Sequence, residues 1–146
     1  MRNFFSVPNF DEMCAKTFSS TKTVQHSPAK LFAVVADVDK YEEFVPFCAR
    51  SRVVRRHSES HFEAELEIGF RLFNEKYLSD VKLVDGESVT AEAITGGEPG
   101  GSRGSGLFER LVSTWKFTPG SHPNECVVNF DIDFRVGSVV HAQAVG

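Results

Sequence analysis

Ser27 to Cys48 reads SPAKLFAVVADVDKYEEFVPFC, and after a short basic stretch Phe62 to Phe70 reads FEAELEIGF. The first stretch is helical in two pieces. Ser27 offers an acceptor to an early backbone N–H and Pro28 suits the first helical position, which predicts a helix over Ala29 to Ala36. Leu31, Phe32, Val35 and Val38 supply its apolar stripe. Asp39 is the expected cap of a second turn over Lys40 to Phe44, which Pro46 ends because the residue before a proline avoids the α region. The second stretch alternates: Phe62, Ala64, Leu66, Ile68 and Phe70 share a face opposite Glu63, Glu65 and Glu67, as the period of a strand requires. Two short helices before a long alternating strand predict an α+β chain whose sheet wraps around something.

Strand signals dominate the rest. Phe18 to His26 is polar and β-branched and suits an edge strand, while Arg52 to Arg56, Phe73 to Val84, Ser88 to Thr95, Leu107 to Thr118 and Cys126 to Val136 alternate or are β-branched. Asp85-Gly86 and Pro119-Gly120 mark turns between them. With Phe62 to Phe70 these make seven antiparallel strands. Cys126, Val128, Phe130, Ile132 and Phe134 again lie opposite Asn129, Asp131, Asp133 and Arg135, so the sheet has one apolar and one polar face. Such a face needs a long covering helix, and the tail Gly137 to Gly146 has room for about two turns. A truncated C-terminal helix is therefore expected.

Composition narrows the function classes. The chain has 146 residues and a net charge of -4, with charges of both signs interspersed, so it offers no electropositive field for nucleic acid. Cys14, Cys48 and Cys126 are irregularly spaced without a CxxC, which argues against a disulfide framework or thiolate zinc site. The five histidines show no HxH or HExxH spacing, so no metal is expected and they read as surface residues. No apolar run approaches the roughly 18 residues that a spanning helix needs. The start MRNFFSVPNFDEMCAK lacks the apolar core of a secretory signal, and Asp11 and Glu12 do not fit a presequence. The Gly96 to Gly106 segment lacks the GK[ST] ending of a phosphate loop and reads as a mobile hairpin loop.

Several strings carry a family resemblance: FFSVP (Phe4 to Pro8), VVADVDKYEEFVPFC (Val34 to Cys48), LEIGF (Leu66 to Phe70), EKYLSDV (Glu75 to Val81), LFERLVSTWKFTPG (Leu107 to Gly120) and VNFDIDFRVGSVVHAQ (Val128 to Gln143). In these and in its order of elements the chain resembles the mitochondrial coenzyme Q-binding proteins of the START-like, polyketide cyclase-like superfamily. The resemblance implies a helix-grip fold over residues 17–146 after an extension at 1–16. Three features depart from the family pattern: the long helix that closes the cavity in relatives beyond the position of Gln143 is lacking, Gly96 to Gly106 reads as an insertion where relatives have a tight turn, and Arg71-Leu-Phe73 differs from their more Pro-rich turn. The function the resemblance implies is non-catalytic: ubiquinone held in a hydrophobic tunnel, in support of respiratory electron transport and coenzyme Q biosynthesis. The implied place is the matrix side of the mitochondrial inner membrane, with any import signal upstream of Met1. Without its closing helix the chain is expected to be unstable, to dimerise or to bind ligand weakly.

The candidate site follows from the inward parity. Phe32, Val35, Tyr41, Phe44 and Phe47 come from the helical end, and Leu66, Ile68, Phe70 and Phe73 from the third and fourth strands. Tyr77, Ser79, Trp115, Phe117, Phe130 and Phe134 complete the lining, with aromatic rings suited to stacking on a quinone. Tyr41, Tyr77, Ser79 and Trp115 are the side chains able to hydrogen-bond quinone oxygens. Glu75 and Glu109 share inward parity with Tyr77 and Leu111, which keeps open an enzyme of the cyclase or dehydratase kind. A ribosome-associated role is the other alternative. Cys48 reads as a small buried thiol, and Phe44-Val-Pro-Phe47 as an aromatic loop at the cavity mouth facing the membrane. No cofactor is expected beyond the quinone as ligand.

Overall fold

A computed structural model describes residues 15–45, 48–70, 73–94 and 108–136. The N-terminal FFSVP, Phe47, the Arg71-Leu turn, the Gly96 to Gly106 segment and the tail from Gly137 lie outside them. So do the expected C-terminal helix and the side chains of Phe70 and Phe73.

Seven strands form one antiparallel sheet: β1 (Ala15–Val24), β2 (Cys48–Ser58), β3 (His61–Phe70), β4 (Phe73–Val84), β5 (Ser88–Ala93), β6 (Phe108–Pro119) and β7 (Cys126–Val136). Their spatial order is β1-β7-β6-β5-β4-β3-β2, so the first strand returns to pair with the last. The helical residues between β1 and β2 carry the chain across to the far edge. Helix α1 (Pro28–Ala36) packs on β5, β6 and β7, and a 3-10 helix (Val38–Glu43) packs on β2. This is the seven-stranded α+β sheet with two short helices that the sequence predicts.

Local chemistry fixes each element. Ser27 caps α1 by accepting from the Lys30 N–H at 3.2 Å, worth ~1 kcal/mol, and buries Leu31 and Val35 beneath it. Gly86, at φ 70°, makes the left-handed turn between β4 and β5 that a side chain would resist. On the outer face Ser19 donates to Asp131 at 2.6 Å and Thr21 to Asn129 at 2.7 Å, tying β1 to β7.

Three expectations need correction. β2 is far longer than Arg52 to Arg56, because its arginines and serines hide the period: Arg50, Arg52 and Arg55 lie opposite Glu67, Glu65 and Glu63 of β3, with Arg52 3.6 Å from Glu65. Asp39 does not cap the second helical piece. Its Oδ1 accepts from the Val53 N–H at 2.7 Å, so the carboxylate ties the helical end to β2, while the capping position falls to Asp37 with no side-chain bond. The outer face is not uniformly wet either: Glu63 is buried, because His57 lies on it with Nε2 2.8 Å from its carboxylate. His57 also stacks on His61, whose Nε2 is 2.6 Å from Asp80.

The β6–β7 turn contains a strongly perturbed carboxylate. Hydrogen bonds from Gln25, then from the Ser121 N–H and hydroxyl, hold Glu125 at a pKa of about 2 rather than 4.5. A depressed folded-state pKa adds stability that is complete above the ordinary carboxyl value and is lost as pH falls toward about 2. The Glu125 carboxyl resonance is therefore expected to titrate with a midpoint near 2, and Gln25→Ala to raise it. An unchanged midpoint in the variant would refute the account.

Candidate functional site

One face of the sheet and the two helical pieces pack around an apolar interior. From β3 come Phe62, Ala64 and Leu66; from β4 Tyr77, Ser79 and Val81; from β6 Phe108, Leu111, Trp115 and Phe117; from β7 Val128 and Phe130; all are buried. Val35 and Tyr41 close it from the helical side, also buried, with Phe32, Phe44, Ile68 and Phe134 half-buried around them. Thus the described residues among the predicted lining share one cluster, except Ser79, which lies in the same face between Ala64 and Ala93.

Aromatic contacts divide this interior into two ends of β6. Phe32 of α1 meets Phe117 edge-on at 6.2 Å, and Trp115 lies parallel to Phe117 at 6.5 Å and against Phe130 at 4.6 Å. At the other end Tyr77 meets Phe108 at 5.7 Å, and from the 3-10 helix Tyr41 meets Phe44 at 5.6 Å. Ser51 fixes that helix to β2 by accepting from the Glu42 N–H at 3.1 Å. Together with Asp39 it sets the position of Tyr41.

Phe108 was not among the expected lining residues. The register of β6 against β7 shifts between Phe108 and Arg110, so alternation counted back from Leu111 puts Glu109 inside when the bulge puts Phe108 there. Glu109 is exposed. Glu75 is half-buried and engaged within the protein. The pair of inward carboxylates expected of an acid–base enzyme is therefore not assembled from these two residues. Nothing in the alternation reveals such a bulge beforehand, because both arrangements leave Leu111 and Trp115 inward.

The polar groups of the interior differ sharply. The Tyr41 hydroxyl donates to the Val35 carbonyl at 2.6 Å. The Tyr77 hydroxyl has no hydrogen bond among the described residues, although burial, with lesser contributions from Cys48 and Tyr41, raises its pKa well above the ordinary value. Cys48 is half-buried rather than buried. Its Sγ donates to the Arg50 carbonyl at 3.3 Å, and burial, followed by Glu42, pushes the thiol up to about 11, so it stays protonated. Among the described residues no group of three or more His, Cys, Asp or Glu could hold a metal, and no helix is long and apolar enough to cross a membrane.

Comparison with known proteins adds three findings. The family described as polyketide cyclase/dehydrase and lipid transport matches residues 24–146. The mitochondrial coenzyme Q-binding protein COQ10 of Drosophila melanogaster is 36% identical over 86% of this chain and 48% of its own length; COQ10 of Dictyostelium discoideum is 32% identical over 86% and 58%. This chain thus spans about half the length of those relatives. The ribosome association toxin RatA of Rickettsia prowazekii is 32% identical over 89% of this chain and 83% of its own. Among solved structures, the Zhui aromatase/cyclase of Streptomyces sp. R1128 has a TM-score of 0.69 at 12% identity, covering 84% of this chain and 69% of that one. A START superfamily protein of Mycobacterium smegmatis has 0.66 at 16%, covering 88% and 86%. At such identities the structural likeness establishes the fold alone.

Proposed function

The chain belongs to the polyketide cyclase/dehydrase and lipid-transport family, and from that premise we propose that it carries a lipid quinone of the coenzyme Q type without transforming it. The observation that bears most weight is the inner face itself. It is aromatic and aliphatic on every strand from β3 to β7, with Val89 and Ala93 from β5, and Glu109 turns outward from it. A carrier needs such a lining, whereas a cyclase or dehydratase needs a buried proton donor and acceptor aimed at its substrate.

The energetics favour reversible carriage. Burying about 400 Å² of isoprenoid is worth ~10 kcal/mol against water. The lipid leaves a bilayer as apolar as the protein interior, however, so extraction is close to neutral and selection falls to the ring end. The COQ10 relatives, named as mitochondrial coenzyme Q-binding proteins, support the quinone and a mitochondrial location, which we place on the matrix side of the inner membrane. There the half-buried Phe44 would meet the lipid surface.

A second reading, ribosome association, is favoured by the match to RatA over most of that protein's length. Mass spectrometry of an organic extract of the purified chain separates the two. Quinone at near one equivalent is expected; an empty chain that co-sediments with ribosomal subunits would replace the first reading with the second.

A further inference from the structure

Four polar side chains of the interior are of the right kind to meet a ligand oxygen, and their surroundings leave one available. Tyr41 has given its only proton to the Val35 carbonyl. Ser79 is 2% exposed, sealed in a row of small residues between Ala64 and Ala93. Trp115 is packed between Phe117 and Phe130. Tyr77 has its ring held by Phe108 at 5.7 Å and its hydroxyl without a hydrogen bond among the described residues. Among those residues no side-chain polar atom fully shut off from solvent lacks a partner, so this hydroxyl keeps some accessible surface.

We propose that the Tyr77 hydroxyl donates a hydrogen bond to a ring carbonyl of the bound lipid and so selects an oxygen-bearing ring over a plain isoprenoid chain. The proposal rests on the lipid-carrier reading and sharpens it. Two physical points support it. An unmade hydrogen bond in an apolar setting gains more from a partner than one in water, so a carbonyl brought there is rewarded and a hydrocarbon is not. Burial keeps the phenol protonated at neutral pH, which makes it a donor, and a quinone carbonyl needs a donor. Phe108 on one side fixes the ring plane from which the O–H projects.

Tyr77→Phe tests this, because it deletes one oxygen and keeps the ring against Phe108. The wild type, Tyr77→Phe and Tyr41→Phe are titrated with a short-chain ubiquinone and with an isoprenoid hydrocarbon of the same tail length, read by Trp115 fluorescence. Tyr77→Phe is expected to weaken quinone binding about 3- to 10-fold, the range of one net hydrogen bond, and to leave hydrocarbon binding unchanged. The infrared carbonyl stretch of bound quinone should be lowered in the wild type and in Tyr41→Phe, and restored toward the free value in Tyr77→Phe. Equal quinone affinity in Tyr77→Phe and wild type overturns the proposal, as does a parallel loss of both ligands, which a packing role would give. Wild type that binds both ligands with no effect of Tyr77→Phe leaves the carrier reading standing and removes this one. Wild type that binds neither removes both.

Discussion

Trp115→Ala is expected to lower stability by ~3–5 kcal/mol, a large share of the 5–15 kcal/mol typical of a domain. The indole is 3% exposed, lies parallel to Phe117 and touches Phe130 at 4.6 Å, and its strand neighbours are Val89 on β5 and Phe130 on β7. Removing it takes away the ring that joins the α1 contact of Phe117 to the β7 face. The cost has two parts, the lost burial and the void left behind, and a sheet held by ladders on both sides collapses poorly into such a void. Urea unfolding followed by circular dichroism measures it, since the variant has no tryptophan to report. A change below about 1 kcal/mol would mean that the indole already borders empty space, contrary to its packing.

Tyr41→Phe should cost ~1–3 kcal/mol, and Tyr77→Phe almost nothing in stability. The contrast comes from what each hydroxyl does. Helix α1 ends at Ala36 with Asp37 as its C-cap and no glycine to turn its last carbonyls inward. One of these, the Val35 carbonyl, is met by the Tyr41 hydroxyl at 2.6 Å. Phenylalanine at 41 leaves that carbonyl buried and unpaired, whereas phenylalanine at 77 removes a hydroxyl that bonds to nothing among the described residues. Paired unfolding curves in ligand-free protein check this. A loss in Tyr77→Phe as large as that in Tyr41→Phe would show that the two hydroxyls had been assigned wrongly.

Most of the architecture was legible because it rests on local rules. Ser27-Pro28 announces a helix start, Asp85-Gly86 a turn, and the alternations from Phe62 and from Cys126 announce strands with one apolar face. The strings shared with the coenzyme Q-binding proteins pointed to the same fold. The full length of β2 is hidden in the sequence because an edge strand carrying Arg50, Arg52, Arg55 and Arg56 shows no hydrophobic period to count. The spacing of Asp39 allows a cap. The alternative acceptor role depends on Val53, fourteen positions later in the chain, which no local rule brings near.

The candidate site was legible as a set and not as a mechanism. Parity brought Leu66, Tyr77, Trp115 and Phe130 to one face, and burial agrees with it. Parity fails wherever a strand gains a residue, and the shift between Phe108 and Arg110 exchanged a carboxylate for a phenyl ring at the Tyr77 end.

By itself the sequence determined most of the elements and their apolar faces, since these follow from side-chain periodicity, capping and turn chemistry within a few residues of one another, and its motif strings pointed to the family. Only the tertiary structure decided which of two chemically identical tyrosines is free to act. Tyr41 and Tyr77 each carry one phenolic proton, and its destination depends on what the fold places opposite: a helix-end carbonyl for Tyr41, and no hydrogen-bond acceptor among the described residues for Tyr77.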